Sequence, residues 1–107
     1  MSDVPAVTDN RPAARFELSS GGHRAELTYK VRDGRLVLRH TAVPAEIERR
    51  GFGGQLVAAA VARAAADGLT IVPLCPFTRT WLERNPAAAA TVTVDWGDHP
   101  PAPPPAG

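Results

Sequence analysis

The chain has 107 residues, of which 44% are hydrophobic and 21% charged, and its formal net charge is +1 at pH 7. These values are typical of one globular domain, and so small a charge predicts no contact with nucleic acid or a membrane surface. A single cysteine, Cys75, excludes an intramolecular disulfide. No segment resembles a signal peptide or is apolar enough to span a bilayer. We therefore expect a cytoplasmic protein, either a monomer or a weak homodimer.

The two ends of the chain show no hydrophobic periodicity. Residues 1–12 mix Ser, Asp, Asn and Pro, and residues 98–107 are rich in proline, which favours extended polyproline II geometry. Such segments cannot bury enough apolar surface to offset the entropy lost on ordering. We predict that both ends are disordered and that the folded domain spans residues 13–97.

Alternating apolar and polar residues predict three strands at the start of this domain. The segments that alternate are RFELSS, RAELTYKVR and RLVLRHTAV, at residues 15–20, 24–32 and 35–43. The dipeptide Asp33-Gly34, between the second and third segments, is a strong signal for a two-residue hairpin. Pro44 is expected to end the third strand, because proline has no N–H group for the sheet ladder.

The hydrophobic period becomes helical after residue 51. Apolar residues at 56, 57, 60, 61 and 64 follow i, i+3, i+4 spacing and predict a helix over residues 52–67, with Gly68 as its C-cap. A short buried strand (69–74), a second helix (77–85) and a closing strand (90–96) follow. The predicted order is β-β-β-α-β-α-β. This order gives an α/β (α+β) fold, with a mixed, mostly antiparallel sheet of about five strands and two helices.

The connection between the third strand and the first helix is a candidate anion site. Its sequence, VPAEIERRGFGGQL, places glycines at 51, 53 and 54 and arginines at 49 and 50, directly before the helix. Glycine permits tight turns and close ligand approach, and a helix N-terminus offers unpaired N–H groups. A pyrophosphate cradle and a flexible strand-to-helix connection both fit this pattern. A Walker A motif and a complete dinucleotide fingerprint are both absent from it.

Four segments, in order, make the chain similar to the GNAT superfamily of N-acetyltransferases. They are LRHTAVP, RRGFGGQLV, GLTIVPLCPF and WLERNP. The third contains the P-x-C-x-F motif of a subgroup of very small, single-domain members. The resemblance implies a compact GNAT-like fold and an N-acetyltransferase that uses acetyl-CoA as cosubstrate, without a metal, and transfers the acetyl group to a primary amine. The acceptor could be a protein lysine, a protein N-terminus or a small amine. The alternative is a non-catalytic module on a degenerate GNAT fold that binds acyl-CoA or another protein.

The resemblance also implies which residues hold the coenzyme. Backbone N–H groups of the glycine turn would bind the pyrophosphate, and the end of the third strand would pair with the pantetheine arm as an added strand would. The coenzyme-binding residues implied in this way are Thr41, Ala42, Val43, Arg49, Arg50, Gly51, Phe52, Gly53, Gly54 and Asn85. Glu48 departs from the superfamily pattern, which has Gln or Arg there. A carboxylate beside a pyrophosphate is unfavourable unless it points away or pairs with Arg49 or Arg50.

Cys75 and His40 are the predicted catalytic residues. Cys75 matches the subgroup's cysteine near the acetyl group, where it could be transiently acetylated, line the pocket, or pack as a small hydrophobe. His40 could take a proton from the amine at neutral pH or be an ordinary strand residue, and Glu46 is a comparable candidate. Phe77 and Trp81 are expected in the core or the pocket wall. Cys and His do not cluster, so we predict no metal site.

Overall fold

The computed structural model describes residues 6–97 and contains one five-stranded sheet. In chain order its elements are β1 (Thr8–Asn10), β2 (Arg15–Ser20), β3 (His23–Arg32), β4 (Arg35–Ala42), a 3-10 turn (Ala45–Ile47), α1 (Phe52–Asp67), β5 (Thr70–Pro73), α2 (Pro76–Arg84) and α3 (Pro86–Ala89). The strand order is β1-β2-β3-β4-β5, antiparallel as far as β4 and parallel between β4 and β5. The predicted mixed, mostly antiparallel α/β fold is confirmed.

The hydrophobic core lies between one face of the sheet and α1. The strands bury alternate residues on this face, and α1 buries the stripe predicted from its period; the largest fully buried side chains include Phe16, Leu18, Leu27, Leu36, Leu38, Leu56 and Ile71. Helix α1 ends at Gly68, which has a φ of 67° and whose N–H group bonds to the Ala64 carbonyl. The opposite face of the sheet carries no helix within residues 6–97, and we call it the open face.

The C-terminal part of the domain differs from the prediction. The closing strand expected over residues 90–96 is wrong, because this segment makes only a single parallel bridge, between Val94 and Ile71. Residues 86–89 form α3, a third helix, since Pro86 presets the first helical φ and the alanines after it favour a helix. Hydrogen-bonded turns continue from α3 as far as Val92, and within the described residues the chain then bonds to β5 only at Ile71, through the Thr93 carbonyl and the Asp95 N–H group. Within the described part of the chain, no helix is long and apolar enough to cross a membrane.

The sheet has one strand that the sequence did not predict, β1. It lies within residues 1–12, for which composition predicted disorder. The Tyr29 hydroxyl donates a hydrogen bond to the Asp9 carboxylate at 2.5 Å. The same carboxylate lies 3.1 Å from the guanidinium of Arg63 on α1, which stands 5.0 Å over the Tyr29 ring. These partners are distant in sequence, so local composition could not indicate them. Residues 1–5 and 98–107 lie outside the described residues, and their disorder stays a prediction.

A β-bulge in β4 changes which side chains face the helices. Leu38 and His40 oppose consecutive residues of β3, so Arg39 is an extra residue in the ladder. One additional residue reverses the alternation of side chains along a strand. Thr41 therefore points to the core side, as Leu38 does, whereas His40 points to the open face.

The parallel partner of β4 stops before β4 does. Strand β5 ends at Pro73, opposite Leu38, whereas β4 continues to Ala42. The N–H groups of Leu74 and Cys75 both donate to the Leu38 carbonyl, at 3.0 and 3.1 Å, and the chain then turns into α2. The sheet is consequently open alongside the last residues of β4.

The Tyr29→Phe variant tests whether β1 belongs to the domain. Loss of a largely buried hydrogen bond should reduce the free energy of unfolding by about 1 kcal/mol, because the Asp9 carboxylate loses a donor. Urea denaturation measures this change, and hydrogen exchange should show faster exchange in β1 than in the wild type. Unchanged stability together with unchanged exchange would contradict the role assigned to this contact.

Candidate active site

A cleft of about 530 Å³ opens where the end of β4, the loop after it and the first turns of α1 and α2 meet. We call it the glycine-turn cleft. Its lining residues are Thr41, Val43, Ile47, Glu48, Arg49, Gly51, Phe52, Gly53, Gly54 and Phe77. Of the residues predicted to bind coenzyme, Ala42, Arg50 and Asn85 are not in this wall. The fold thus brings the other predicted coenzyme-binding residues together around one cavity.

The loop before α1 turns through two residues with left-handed backbone conformation. Gly51, the N-cap of α1, has a φ of 78°, and Arg49 has a φ of 64°. No side chain of the described residues caps this end of the helix, and the first intrahelical hydrogen bond runs from the Gln55 N–H group to the Gly51 carbonyl at 3.1 Å. The N–H groups of residues 52–54 precede that bond. They form a site at the cleft wall where an anion would be favoured.

The other two glycines of the turn let α2 pack directly against α1. A Cβ atom at Gly53 would lie 2.7 Å from the Phe77 ring, and one at Gly54 would lie 2.8 Å from the indole nitrogen of Trp81. Both distances are shorter than real Cβ contacts. Glycine is therefore required at 53 and 54 for helix packing, besides its predicted role in binding. Phe77 lines the cleft and Trp81 packs against the core, as expected.

Charges of both signs meet at the turn. Glu48 and Arg49 are both exposed, and both line the glycine-turn cleft, so an anion bound there would meet one repulsive and one attractive side chain. Arg50 is exposed but is not part of the wall. The departure noted at Glu48 in the sequence thus lies inside the cleft, where its charge acts on the ligand.

The thiol of Cys75 lies behind the cleft wall rather than in it. The residue is 5% exposed, and its Sγ is 3.5 Å from Oγ1 of Thr41, which does line the cleft. Cys75 is the N-cap of α2, and its carbonyl accepts a hydrogen bond from the Thr78 hydroxyl at 2.8 Å. The thiol can therefore influence a ligand in the cleft through Thr41.

The pKa of Cys75 is lower than the usual thiol value. Burial alone would raise this pKa, but the hydrogen bond with Thr41 lowers it, as do the backbone N–H groups of Thr78 and Phe77 at the start of α2. These two N–H groups act through their proximity, because neither makes a well-formed capping hydrogen bond to the sulfur. The lowering effects together exceed the effect of burial.

A family model described as GCN5-related N-acetyl-transferase matches residues 15–92. The match covers most of the chain and every element that forms the glycine-turn cleft. The chain belongs to the GCN5-related N-acetyltransferase family. No curated protein matches it significantly. The GNAT resemblance found in the sequence is confirmed at the level of the superfamily, and the assignment to the P-x-C-x-F subgroup stays a prediction.

The remaining predicted site residues of this GNAT domain lie apart from the cleft. His40 is exposed on the open face, and its carbonyl accepts a hydrogen bond from the Thr28 hydroxyl at 3.3 Å. Asn85 donates its side-chain N–H to the Trp81 carbonyl at 2.8 Å and so closes α2. The fold does not bring His40 and Cys75 to the same face of the sheet.

Two contributors to this GNAT site were missed at the level of sequence. Ile47, 2% exposed, forms part of the cleft floor, and Thr78, fully buried, fixes the carbonyl of Cys75. Ile47 is a single apolar residue in a loop and carries no periodic signal. Thr78 could have been found from its position three residues after Cys75, the N-cap of α2, because a hydroxyl there can bond back to the N-cap carbonyl. Among residues 6–97, no three His, Cys, Asp or Glu side chains are grouped as metal ligands.

Substitutions at the two left-handed residues of the glycine turn, Arg49 and Gly51, should change the stability of the GNAT domain in opposite directions. Gly51→Ala should lower the free energy of unfolding by about 1 kcal/mol, because a Cβ atom is disfavoured at this φ although nothing lies within 4 Å of it. Arg49→Gly should keep or raise stability, since it removes the same strain. Denaturation curves of both variants check this pair, and equal destabilisation by both would contradict it.

The Thr41→Val variant should raise the pKa of Cys75, because valine keeps the shape of threonine but not the hydroxyl. The ultraviolet absorbance of the thiolate, followed against pH with Cys75→Ala as the blank, measures the titration directly. Since a lowered pKa stabilises the fold above the usual thiol pKa and loses that effect as pH falls through the lowered value, Thr41→Val should also lose stability at alkaline pH. Thr41→Ser should behave as the wild type; a valine variant with an unchanged titration would refute the contact.

Proposed function

We propose that this protein is an acetyl-CoA-dependent N-acetyltransferase that acetylates a primary amine. The observation that carries the proposal is the shape of the glycine-turn cleft in a chain of this family. One wall of the cleft is an uncapped helix N-terminus, and the other is the end of a strand that has lost its parallel neighbour. A ligand with an anionic group and an extended amide arm has the chemistry that these two walls complement.

The two walls would bind different parts of the coenzyme. The N–H groups of residues 52–54 and the positive end of the α1 dipole suit the pyrophosphate. The backbone of residues 41–43 lies where β5 no longer covers β4, so the pantetheine amides can pair with it as an added strand. This arrangement would bring the thioester toward Thr41, at the narrow end between β4 and α2.

The transfer itself is proposed as a direct attack. The neutral amine nitrogen forms a bond to the acetyl carbon, the carbon–sulfur bond of the thioester breaks, the amine releases a proton to a base, and CoA leaves as its thiolate. Thr41 stands between the Cys75 sulfur and the cleft, which favours this route over an acetylated Cys75. Cys75 is then a residue that positions Thr41 and adjusts its hydrogen bonding.

We propose that the base in this reaction is a residue exposed on the open face. His40 is exposed there, two residues along β4 from Ala42, and would receive the proton if the acceptor approaches from that side. Glu46, whose carboxylate lies 3.8 Å from Nδ1 of His23, is the second candidate. The acceptor itself is proposed only as a primary amine: a lysine side chain, a protein N-terminus or a small amine.

Glu48 supports a second candidate function, a coenzyme-binding module without catalysis. Its carboxylate lines the glycine-turn cleft and opposes the binding of a pyrophosphate. Acetylation of any member of a panel of primary amines separates the two functions, because the module would bind acetyl-CoA and leave every amine unmodified.

Acetyl-CoA should raise the midpoint of thermal unfolding of the protein. A ligand that binds only the native state adds about 2.7 kcal/mol of stability at a concentration one hundred times its Kd. Differential scanning fluorimetry with acetyl-CoA and with CoA measures the effect. An unchanged midpoint at millimolar concentrations of both would rule out the enzyme and the coenzyme-binding module alike.

Glu48→Gln should strengthen coenzyme binding, because it removes a negative charge from the cleft wall. Exposed charges contribute up to about 1 kcal/mol, so the Kd of CoA should fall by about two- to fivefold, and less at high salt. Isothermal titration calorimetry measures both values. Glu46→Gln is the matched control, since Glu46 is a neighbouring exposed acid that does not line the glycine-turn cleft. An equal gain in both variants would show that net charge, rather than position, is responsible.

A further inference from the structure

A second cleft of about 590 Å³ lies on the open face, over the ends of β3 and β4. We call it the open-face cleft. Its lining residues are Arg24, Glu26, Thr41, Ala42, Val43 and Pro44. Thr41 and Val43 line the glycine-turn cleft as well, so the two cavities are separated only by the end of one strand.

We propose that the open-face cleft binds the acceptor amine in its cationic form and that Glu26 is the residue that selects it. The inference rests on the proposed N-acetyltransferase function and adds a substrate class to it: primary alkylamines, which are protonated at neutral pH. In the glycine-turn cleft the only acid among the lining residues, Glu48, is next to Arg49 and near the N-terminus of α1, which favours an anion.

Glu26 lies within ion-pair distance of two arginines, but its Oε2 accepts no hydrogen bond from either. Its Oε2 lies 3.7 Å from the Arg15 guanidinium and 3.6 Å from that of Arg24, and this oxygen has no hydrogen-bond partner within residues 6–97. A buried carboxylate oxygen without a donor lowers stability, so a donor bound beside it would be favoured. The side chain is 27% exposed and lines the open-face cleft, so its carboxylate is within reach of a donor bound there.

The neighbouring acid on the open face, Glu17, is already hydrogen-bonded to other side chains of the sheet. Glu17 lies directly opposite Glu26 on β2, but it does not line the cleft. Its carboxylate accepts hydrogen bonds from Arg15 and Asn10 and lies 3.6 Å from Arg24, which together lower its pKa. Glu17 therefore takes the hydrogen bond of Arg15, whereas Arg24 lies 3.6 Å from both carboxylates. Glu26, whose Oε2 accepts no hydrogen bond within residues 6–97, keeps the capacity to bind an ammonium group.

The position of Glu26 fits the proposed direction of attack. It is paired with Ala42, the residue after Thr41, whereas Arg24 lies two residues farther from that point along β3. An ammonium group bound to Glu26 would thus lie beside the end of β4. The proposed thioester site is on the other side of that strand. Because β5 stops opposite Leu38, the sheet is open alongside Thr41, and the amine can reach the acetyl carbon once its proton has passed to solvent or to His40.

The test compares Glu26→Gln with Glu17→Gln, which makes the same charge change on the same face outside the cleft. Butylamine and aniline serve as acceptors, since both are primary amines but only butylamine is cationic at neutral pH. Glu26→Gln should raise the KM for butylamine by about tenfold or more, as expected for a lost hydrogen bond between charged groups. Its KM for aniline, its Kd for acetyl-CoA and its thermal midpoint should stay within about twofold or a few degrees of the wild-type values.

A binding measurement without coenzyme tests the site independently of catalysis. Titration of the wild-type protein with butylamine should shift the backbone amide resonances of Glu26 and Ala42, and Glu26→Gln should weaken this binding where Glu17→Gln does not. If the protein acetylates butylamine but the two variants behave alike, the assignment of Glu26 is wrong and the proposed function stands. If butylamine shifts these resonances although no acetylation occurs, the site stands and the function fails. Absence of any shift near Glu26 overturns the inference.

Discussion

The extra residue in β4 determines where chemistry can occur in this protein. Without the bulge at Arg39, regular alternation would direct His40 toward the helices and Thr41 toward the open face. With it, Thr41 reaches the Cys75 thiol and forms part of the wall of both clefts. The early end of β5 is equally necessary for the open strand end, because a longer β5 would pair with the last residues of β4 and close the gap. One inserted residue and one shortened strand together produce an open strand end inside an otherwise continuous sheet.

The glycine turn satisfies two demands with one set of residues. Gly51 provides the left-handed conformation that starts α1 without a side-chain cap, and this leaves the first N–H groups for a ligand. Gly53 and Gly54 allow the aromatic side chains of α2 to lie on the first turn of α1. The packing of α2 also fixes Cys75, the N-cap of that helix, next to β4. Binding and packing are therefore coupled at this turn, and a side chain that improved one would disturb the other.

Most of the fold was accessible from the sequence because its core elements are locally consistent. The hairpin at Asp33-Gly34 and the helix ending at Gly68 each have a turn residue and a period that agree, and both are where they were predicted. The two edges of the sheet could not be predicted from the sequence. Strand β1 depends on a contact between Asp9 and Tyr29, twenty positions away. The segment after α3 alternates like a strand, but as far as residue 97 it pairs with β5 only at Ile71.

The limits of the site prediction have the same origin. The resemblance to the GNAT superfamily indicated most of the residues around the glycine-turn cleft, since all of its lining residues except Phe77 come from the contiguous segment 41–54. Spacing along the chain could not show that His40 and Cys75 lie on different sides of the sheet, because a bulge leaves no mark in a pattern of alternating residues. Asn85 looked available for a ligand, yet its amide closes α2 through Trp81. The sequence indicates which neighbouring residues share a loop, whereas the face on which a strand residue lies depends on the register of the sheet.

The small size of the domain explains the contrast between its two faces. Helices cover one face and bury the core, whereas the other face is covered by charged side chains rather than by a second helical layer within the described residues. A charged sheet face is costly unless its charges are paired, and Arg15, Glu17, Arg24 and Glu26 form such a network. This network stabilises the face with ion pairs in place of apolar burial. It also leaves a carboxylate beside an open strand end, where a domain with a second layer would have apolar side chains.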